Sequence, residues 1–273
     1  MVEPENNTVQ NFMNTSMYLP LSVMLVLFIV SFSSYGEYIK EQPISIAFTY
    51  SMPPYLSKDM NSGIERDIIY EAFKAEGMTL GKIHNVHYKR AINMLEQGLI
   101  EGIVSNMTNY AYDQRDVEFY PSNKTIDYVD CAITLAEQNF ILASIKDYED
   151  KTIWGFKTAK NTLGPEFELM ANHNPNYTED SDQEMQAEML VLKRIDIAIS
   201  DRNIFSSKLI RGGKHLVNRF KFQKIGEPTP RTLRLSSQNH LERFNQGLDK
   251  IKQNGTFEKI LLEYENNYAA TCD

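Results

Sequence analysis

The stretch Ile44-Ser45-Ile46-Ala47-Phe48, the loop through Met52-Pro53-Pro54-Tyr55, and then Gly63-Ile64-Glu65-Arg66-Asp67-Ile68-Ile69-Tyr70-Glu71-Ala72-Phe73 up to Gly77 decide the reading of this chain. The first run is short, apolar and rich in β-branched residues, which suits a strand. Ile64, Ile68, Ile69, Ala72 and Phe73 then fall three and four apart, on one face of a helix that Gly77 ends. One strand followed by one amphipathic helix is a βα unit, and repetition of that unit would make the protein α/β.

It repeats. Val86 to Tyr88 predicts a strand, Arg90 to Gln97 a helix closed by Gly98, Gly102 to Ser105 another strand and Ala132 to Leu135 a further one. The alternation restarts at Thr152-Ile153-Trp154-Gly155-Phe156 and at Ile195-Asp196-Ile197-Ala198-Ile199-Ser200, with a helix from Gln183 to Leu192 between them. Thr232 to Leu235 reads as a returning strand. Phe244, Leu248, Ile251, Phe257, Ile260, Leu261 and Tyr264 then keep helical spacing across a break at Asn254-Gly255. No internal repeat and no Pro/Ser linker divides the chain.

Upstream, residues 18 to 32 form an uncharged apolar run, short for a bilayer core of about 30 Å. Small residues at Ser31, Ser33, Ser34 and Gly36 follow it, so residues 1–37 read as an export signal, with an uncleaved N-terminal anchor as the alternative. The departure from a signal is that no Lys or Arg occurs before Lys40, while Glu3 and Glu5 do.

Composition narrows the function. The 273 residues, 42% of them hydrophobic, suffice for one large or two modest domains. Lys and Arg number 28 against 36 Asp and Glu, a net charge of −8, which disfavours nucleic acid and anionic membrane as partners. Two distant cysteines cannot build a Cys-based zinc site, and His84, His87, His173, His215 and His240 show no paired spacing on one helix, so no metal is expected. Neither a Gly-x-Ser-x-Gly elbow nor a phosphate-binding Gly-rich loop is present, and no cofactor is expected.

Six segments together resemble the bacterial extracellular solute-binding proteins of family 3. They are Ile44 to Tyr55, Gly63 to Gly77, Tyr88 to Val104, Arg115-Asp116-Val117-Glu118-Phe119, Arg194 to Asp201, and Asn254-Gly255-Thr256-Phe257-Glu258-Lys259-Ile260. The resemblance covers residues 43 to 265. It implies a type 2 periplasmic-binding fold: two α/β lobes, each a mixed sheet flanked by helices, joined by two hinge strands around a ligand cleft. Carried over, lobe 1 is 41–130 plus 230–265 and lobe 2 is 131–229. An oxidising periplasm would allow Cys131 and Cys272 to join, tying the tail to the hinge region; the sequence alone leaves them paired or free.

The resemblance also assigns roles. Arg115 would grip a ligand carboxylate with its fork, although this chain has Tyr112-Asp113-Gln114-Arg115 where the family often has Thr-Pro-x-Arg. Asp201 would receive an α-ammonium group, a role compatible with capping the helix that follows. Asn106 and Thr108 could donate to the ligand or merely form a turn. Thr158 and Asn161 begin a helix whose free N–H groups suit an anion, and Tyr50, Met52 and Tyr55 would cover the ligand's aliphatic part or pack the core. The implied function is a monomeric periplasmic receptor that captures a small zwitterion such as an amino acid and delivers it to the membrane subunits of an ABC importer, without catalysis. The alternatives are an enzyme on the same fold that uses a cleft carboxylate, of the dehydratase or cell-wall lyase type, and a membrane-tethered sensor.

Overall fold

Two mixed sheets, each flanked by helices, carry the chain. The computed structural model describes residues 1–2, 42–49, 51–105, 118–210, 214–265 and 271–272, and the fold is that of the unit Glu41–Asp273. In order come β1 (Ile44–Phe48), α1 (Ile64–Ala75), β2 (Leu80–Asn85), α2 (Tyr88–Glu96), β3 (Gly102–Ser105), β4 (Tyr120–Pro121), β5 (Ile126–Tyr128) and β6 (Asp130–Leu135). There follow β7 (Ile153–Phe156), α3 (Ala159–Thr162), α4 (Pro165–His173), β8 (Tyr177–Asp180), α5 (Gln186–Val191), β9 (Ile197–Asp201) and α6 (Arg202–Ile210). The chain closes with β10 (Phe220–Lys224), β11 (Thr229–Leu235), α7 (Gln238–Gln253) and α8 (Thr256–Glu265). Residues 18 to 32 lie outside the described residues, and among those described no helix is long and apolar enough to cross a membrane.

The first sheet runs β2-β1-β3-β11-β4 with β5 also on β11, the second β10-β6-β9-β7-β8. Each repeats one design. A parallel trio (β2, β1, β3 or β8, β7, β9) is closed by an antiparallel strand, β11 or β6. The chain leaves the first sheet from β5 into β6 through Val129 and returns from β10 into β11. Where it crosses, β5 and β11 pair antiparallel, Tyr128 opposite Thr229 and Ile126 opposite Arg231. This is the two-lobe architecture the sequence implied.

Apolar alternation explains the layers. In the second sheet Cys131, Ile133 and Ala198 face one cluster while Ala132, Ile197 and Ile199 face another, so helices cover both faces and the strands read as unbroken apolar runs. In the first, α1 and α7 pack over β1 through Ile68, Ala72, Phe73, Phe244 and Leu248. Their close approach needs Gly247, where an added Cβ would lie 2.0 Å from the Ala72 carbonyl oxygen. Gly63, at φ 135°, is likewise obligatory: a Cβ there would sit 2.4 Å from the Tyr55 carbonyl oxygen. The strand expected at Val86–Tyr88 is instead Leu80–Asn85, and Tyr88 already begins α2. Being an edge strand with no fully buried residue, β2 carries polar side chains that hide it from an apolar search.

The hinge is pinned by a buried ion pair. Glu65, on α1, is fully buried and faces Arg231, on β11, which is 3% exposed. The Arg231 Nε lies 3.3 and 3.2 Å from the two Glu65 carboxylate oxygens, and its Nη2 donates to Ser51 Oγ at 3.1 Å. Thr125 Oγ1 completes the Glu65 shell at 3.1 Å. Removing one partner strands the other charge, at a cost of about 3–5 kcal/mol. Arg231→Met should therefore lower the urea midpoint sharply, whereas a midpoint within error of wild type would mean the pair does not hold the hinge.

A covalent bond joins the lobes as well. Cys131, on β6, is disulfide-bonded to Cys272, with Cα atoms 6.0 Å apart. The chain reaches Cys272 from α8, which is fastened to the first lobe: Tyr264 donates its hydroxyl to Asp67 Oδ2 at 2.7 Å and accepts from the Gly63 N–H at 2.9 Å. Cys272 packs against the second-lobe cluster. A bond spanning 141 residues restricts the unfolded chain strongly, and losing it typically costs about 2–5 kcal/mol. Chemical denaturation with and without a thiol reductant should show this loss, and Cys131→Ser should show no further loss on reduction.

Candidate ligand-binding cleft

In open α/β sheets ligands bind beyond the carboxyl ends of the strands, and here both sheets point those ends at one cavity of about 760 Å³. Thr49 and Met52 follow β1, and His87 follows β2. Phe156 and Thr158 close β7, Gln183 follows β8, and Asp201 ends β9. Tyr128, Asp130 and Arg231 form its floor at the hinge. The volume lies within the roughly 300–1,000 Å³ usual for small-molecule sites.

The floor is an aromatic and ionic stack that crosses between lobes. Tyr55 and Tyr128 stack with centroids 4.0 Å apart, and the Arg231 guanidinium lies 4.7 Å from the Tyr128 ring centre. The Tyr55 hydroxyl donates to the Asp201 carboxylate at 3.0 and 3.1 Å, and Asn203 Nδ2 donates to that hydroxyl at 3.2 Å. On the same side Ser207 Oγ donates to the Pro53 carbonyl at 3.2 Å, and Ile204 packs into the first-lobe core. The start of α6 is thus seated on the loop after β1.

Two carboxylates meet at this floor and are provided for differently. Asp201 caps α6, its Oδ1 accepting from the Asn203 and Ile204 N–H groups at 2.9 Å each, while its Oδ2 accepts from the Val129 N–H at 2.8 Å. With the Tyr55 hydroxyl added, its lone pairs are occupied. Asp130 stands directly across the ladder from Asp201. It is only 8% exposed, lines the cavity, and has no hydrogen bond or ion pair to its carboxylate among the described residues. Burial, and then the neighbouring Asp201 charge, push Asp130 up to about 8. Burial also raises Asp201, but the four hydrogen bonds oppose it and leave it at about 6. The difference between the two follows from the hydrogen bonds one has and the other lacks.

Of the residues singled out by sequence, Met52, Thr158 and Asp201 line the cavity. Tyr55 is fully buried behind Tyr128 and acts on the cleft through Asp201. Asn161 is exposed and not among the lining residues. The N–H groups of Thr158 and Lys160 donate to the Glu179 carboxylate at 3.0 and 2.7 Å, so the chain's own acid occupies that helix start. Tyr50, Asn106, Thr108 and Arg115 lie outside the described residues. Asp196 accepts from the Thr152 N–H at 2.9 Å and steadies the strand ends. The sequence places Arg231 near a hinge crossing without a role in the cleft and gives Tyr128 and Asp130 none, because their importance comes from the pairing of β5 with β11 and of β6 with β9. Among the described residues no three His, Cys, Asp or Glu side chains gather into a metal site.

Solved structures share this fold at low identity. The second substrate-binding domain of a putative amino acid ABC transporter from Streptococcus pneumoniae is 23% identical, with TM-score 0.59, and 83% of this chain and 100% of that one are covered. The second substrate-binding domain of GlnP from Lactococcus lactis, in an open conformation, is 21% identical over 85% of this chain and 98% of that one, with TM-score 0.58. A histidine kinase sensor domain with similarity to periplasmic binding proteins is 12% identical over 82% and 96%, with TM-score 0.62. No curated protein matches the chain. The family model for bacterial extracellular solute-binding proteins, family 3, matches residues 44–267. The strands of both sheets, the hinge between them and the cleft beyond their carboxyl ends all fall within that match, and the chain belongs to this family.

Proposed function

We propose that the cleft captures a small zwitterionic solute, an amino acid or a close analogue, and that the protein hands it to the membrane subunits of an ABC importer from the periplasm, as a monomer. The observation that carries this reading is the cavity itself: strand ends from both lobes converge on it, and its floor holds carboxylates at the hinge. A solute touching both lobes favours their closed arrangement by its differential affinity alone. No covalent chemistry is required. Arg115 is the proposed partner of the ligand carboxylate, Met52 and Thr158 line the cavity, and Tyr50, Asn106 and Thr108 are further proposed contacts. Membership of an extracellular solute-binding family supports export, and the likeness to an amino acid transporter domain supports the importer.

Micromolar binding corresponds to about −8 kcal/mol, within reach of one charge-assisted fork, one ammonium site and a buried side chain. At a ligand concentration a hundredfold above Kd the native state gains about 2.7 kcal/mol, which for a protein of this size raises Tm by roughly 5–10 °C. Thermal-shift screening of the purified chain against the common L-amino acids should give such a rise for at least one, and Arg115→Ala should abolish it. A flat response across the set would reject the reading.

A further inference from the structure

Gln183 follows β8, in a loop whose backbone is fixed on both sides of it. The Asp182 N–H donates to Asp180 Oδ1 at 2.9 Å and the Glu184 N–H to Asp182 Oδ1 at 2.8 Å, two side-chain turns in succession. Between them the Gln183 side chain turns inward: the residue is 5% exposed and lines the cavity. The Ser200 hydroxyl, fully buried on β9, donates to its Oε1 at 2.8 Å. A carboxamide has one acceptor oxygen and one nitrogen with two N–H donors, so a bond that holds the oxygen against β9 leaves the nitrogen as the end that meets the cavity. Among the described residues no acceptor lies within hydrogen-bond reach of that nitrogen, and it is not sealed inside the protein.

Buried polar groups in folded proteins are nearly always paired, and several donors on the same side of the cleft follow the rule. Gln186 Nε2 donates to the Trp154 and Ile199 carbonyls at 3.0 and 3.3 Å, and Thr162 Oγ1 to the Thr158 carbonyl at 3.0 Å. The N–H groups of Thr158 and Lys160 are taken by Glu179. Lys157, which also lines the cavity, is exposed at its edge. Gln183 is thus a buried second-lobe donor left open on the cavity side.

We infer that Gln183 is a specificity-determining residue, whose amide N–H groups donate to an oxygen acceptor of the ligand, a carboxylate or a carbonyl. This rests on the solute-binding reading and assigns the chemistry by which the second lobe recognises its solute. A carboxamide carries no charge, so it serves anionic and neutral oxygens alike, whereas an ammonium in the same place would set donor against donor. Ser200 acts through Gln183 as a positioning residue, fixing which end of the amide faces the ligand.

Two variants test this. Gln183→Met keeps the chain length and nearly the volume while removing the donors, and it strands no hydroxyl, because Ser200 Oγ also lies 3.3 Å from the Asp201 carbonyl oxygen. Gln183→Glu keeps an acceptor for Ser200 and exchanges the donors for a second oxygen. Calorimetric affinity at pH 8 and ligand-free Tm are measured for wild type and both variants, with the common L-amino acids and L-norleucine as probes. Whichever probe wild type binds best should bind Gln183→Met roughly 3- to 100-fold more weakly, the larger loss belonging to a carboxylate acceptor. It should bind Gln183→Glu more weakly still, since acceptor then faces acceptor, while the ligand-free Tm of Gln183→Met stays with that of wild type. A loss confined to probes with oxygen in the side chain places the acceptor there; an equal loss for norleucine assigns it to the α-carboxylate. Affinity in Gln183→Met within twofold of wild type for every probe that wild type binds would overturn the inference and leave the solute-binding reading intact. So would a loss confined to lysine and arginine, or a Gln183→Glu that binds as tightly as wild type. Wild type silent towards every probe would reject the solute-binding reading and the inference with it.

Discussion

The hinge depends on one buried charge pair. Arg231 belongs to the strand that returns to the first sheet, Glu65 to the helix beneath the cleft, and both are buried. Isolated, either charge would be prohibitive there; together with Ser51 and Thr125 they lock β11 and α1 at a fixed spacing. Tyr128 lies across the guanidinium, Tyr55 lies on Tyr128, and Asp201 hangs from Tyr55. A single electrostatic commitment at the centre thus positions a stack that ends in the second lobe. It does so with side chains from both lobes and both crossing strands, which explains why this region is polar inside an otherwise apolar fold.

Periodicity carried most of the architecture. The helical face Ile64, Ile68, Ile69, Ala72 and Phe73 is buried as its spacing implies, and Glu65, which no apolar pattern would place inside, is buried with it because Arg231 is waiting. The paired helices before and after Asn254 and the two apolar strands at Ile153 and Ile197 also follow their local pattern. What local pattern could not supply was partnership. Leu80–Asn85 pairs as an edge strand through its backbone, so its side chains carry little apolar signal. Asp130 looks like any polar residue before an apolar strand until the register sets it opposite Asp201. Asp201 itself was legible both as a cap and as a cleft acid, and the distances add the reason for its occupancy: four donors converge on it from three separate segments.

The cleft shows how a binding site differs from a core in energetic terms. Glu65 and Asp130 are both buried acids, separated mainly by what the chain provides for them. Glu65 receives a guanidinium and a hydroxyl; Asp130 receives a second negative charge. The same contrast holds for the helix start at Thr158, where Glu179 supplies the anion from within. A site with every demand met internally has little left to offer a visitor.

The bond between Cys131 and Cys272 has a topological side too. It encloses the whole second lobe, the returning strand and the last two helices in one covalent ring, leaving β1 to β5 outside it. A protease cutting anywhere inside that ring opens it without releasing a fragment, so the nicked molecule keeps its mass and its two halves remain tethered. A cut between β1 and residue 131 leaves the portion before it held by non-covalent contacts alone. Damage to the two lobes therefore has unequal consequences, and the lobe reached second along the chain is the one protected against loss.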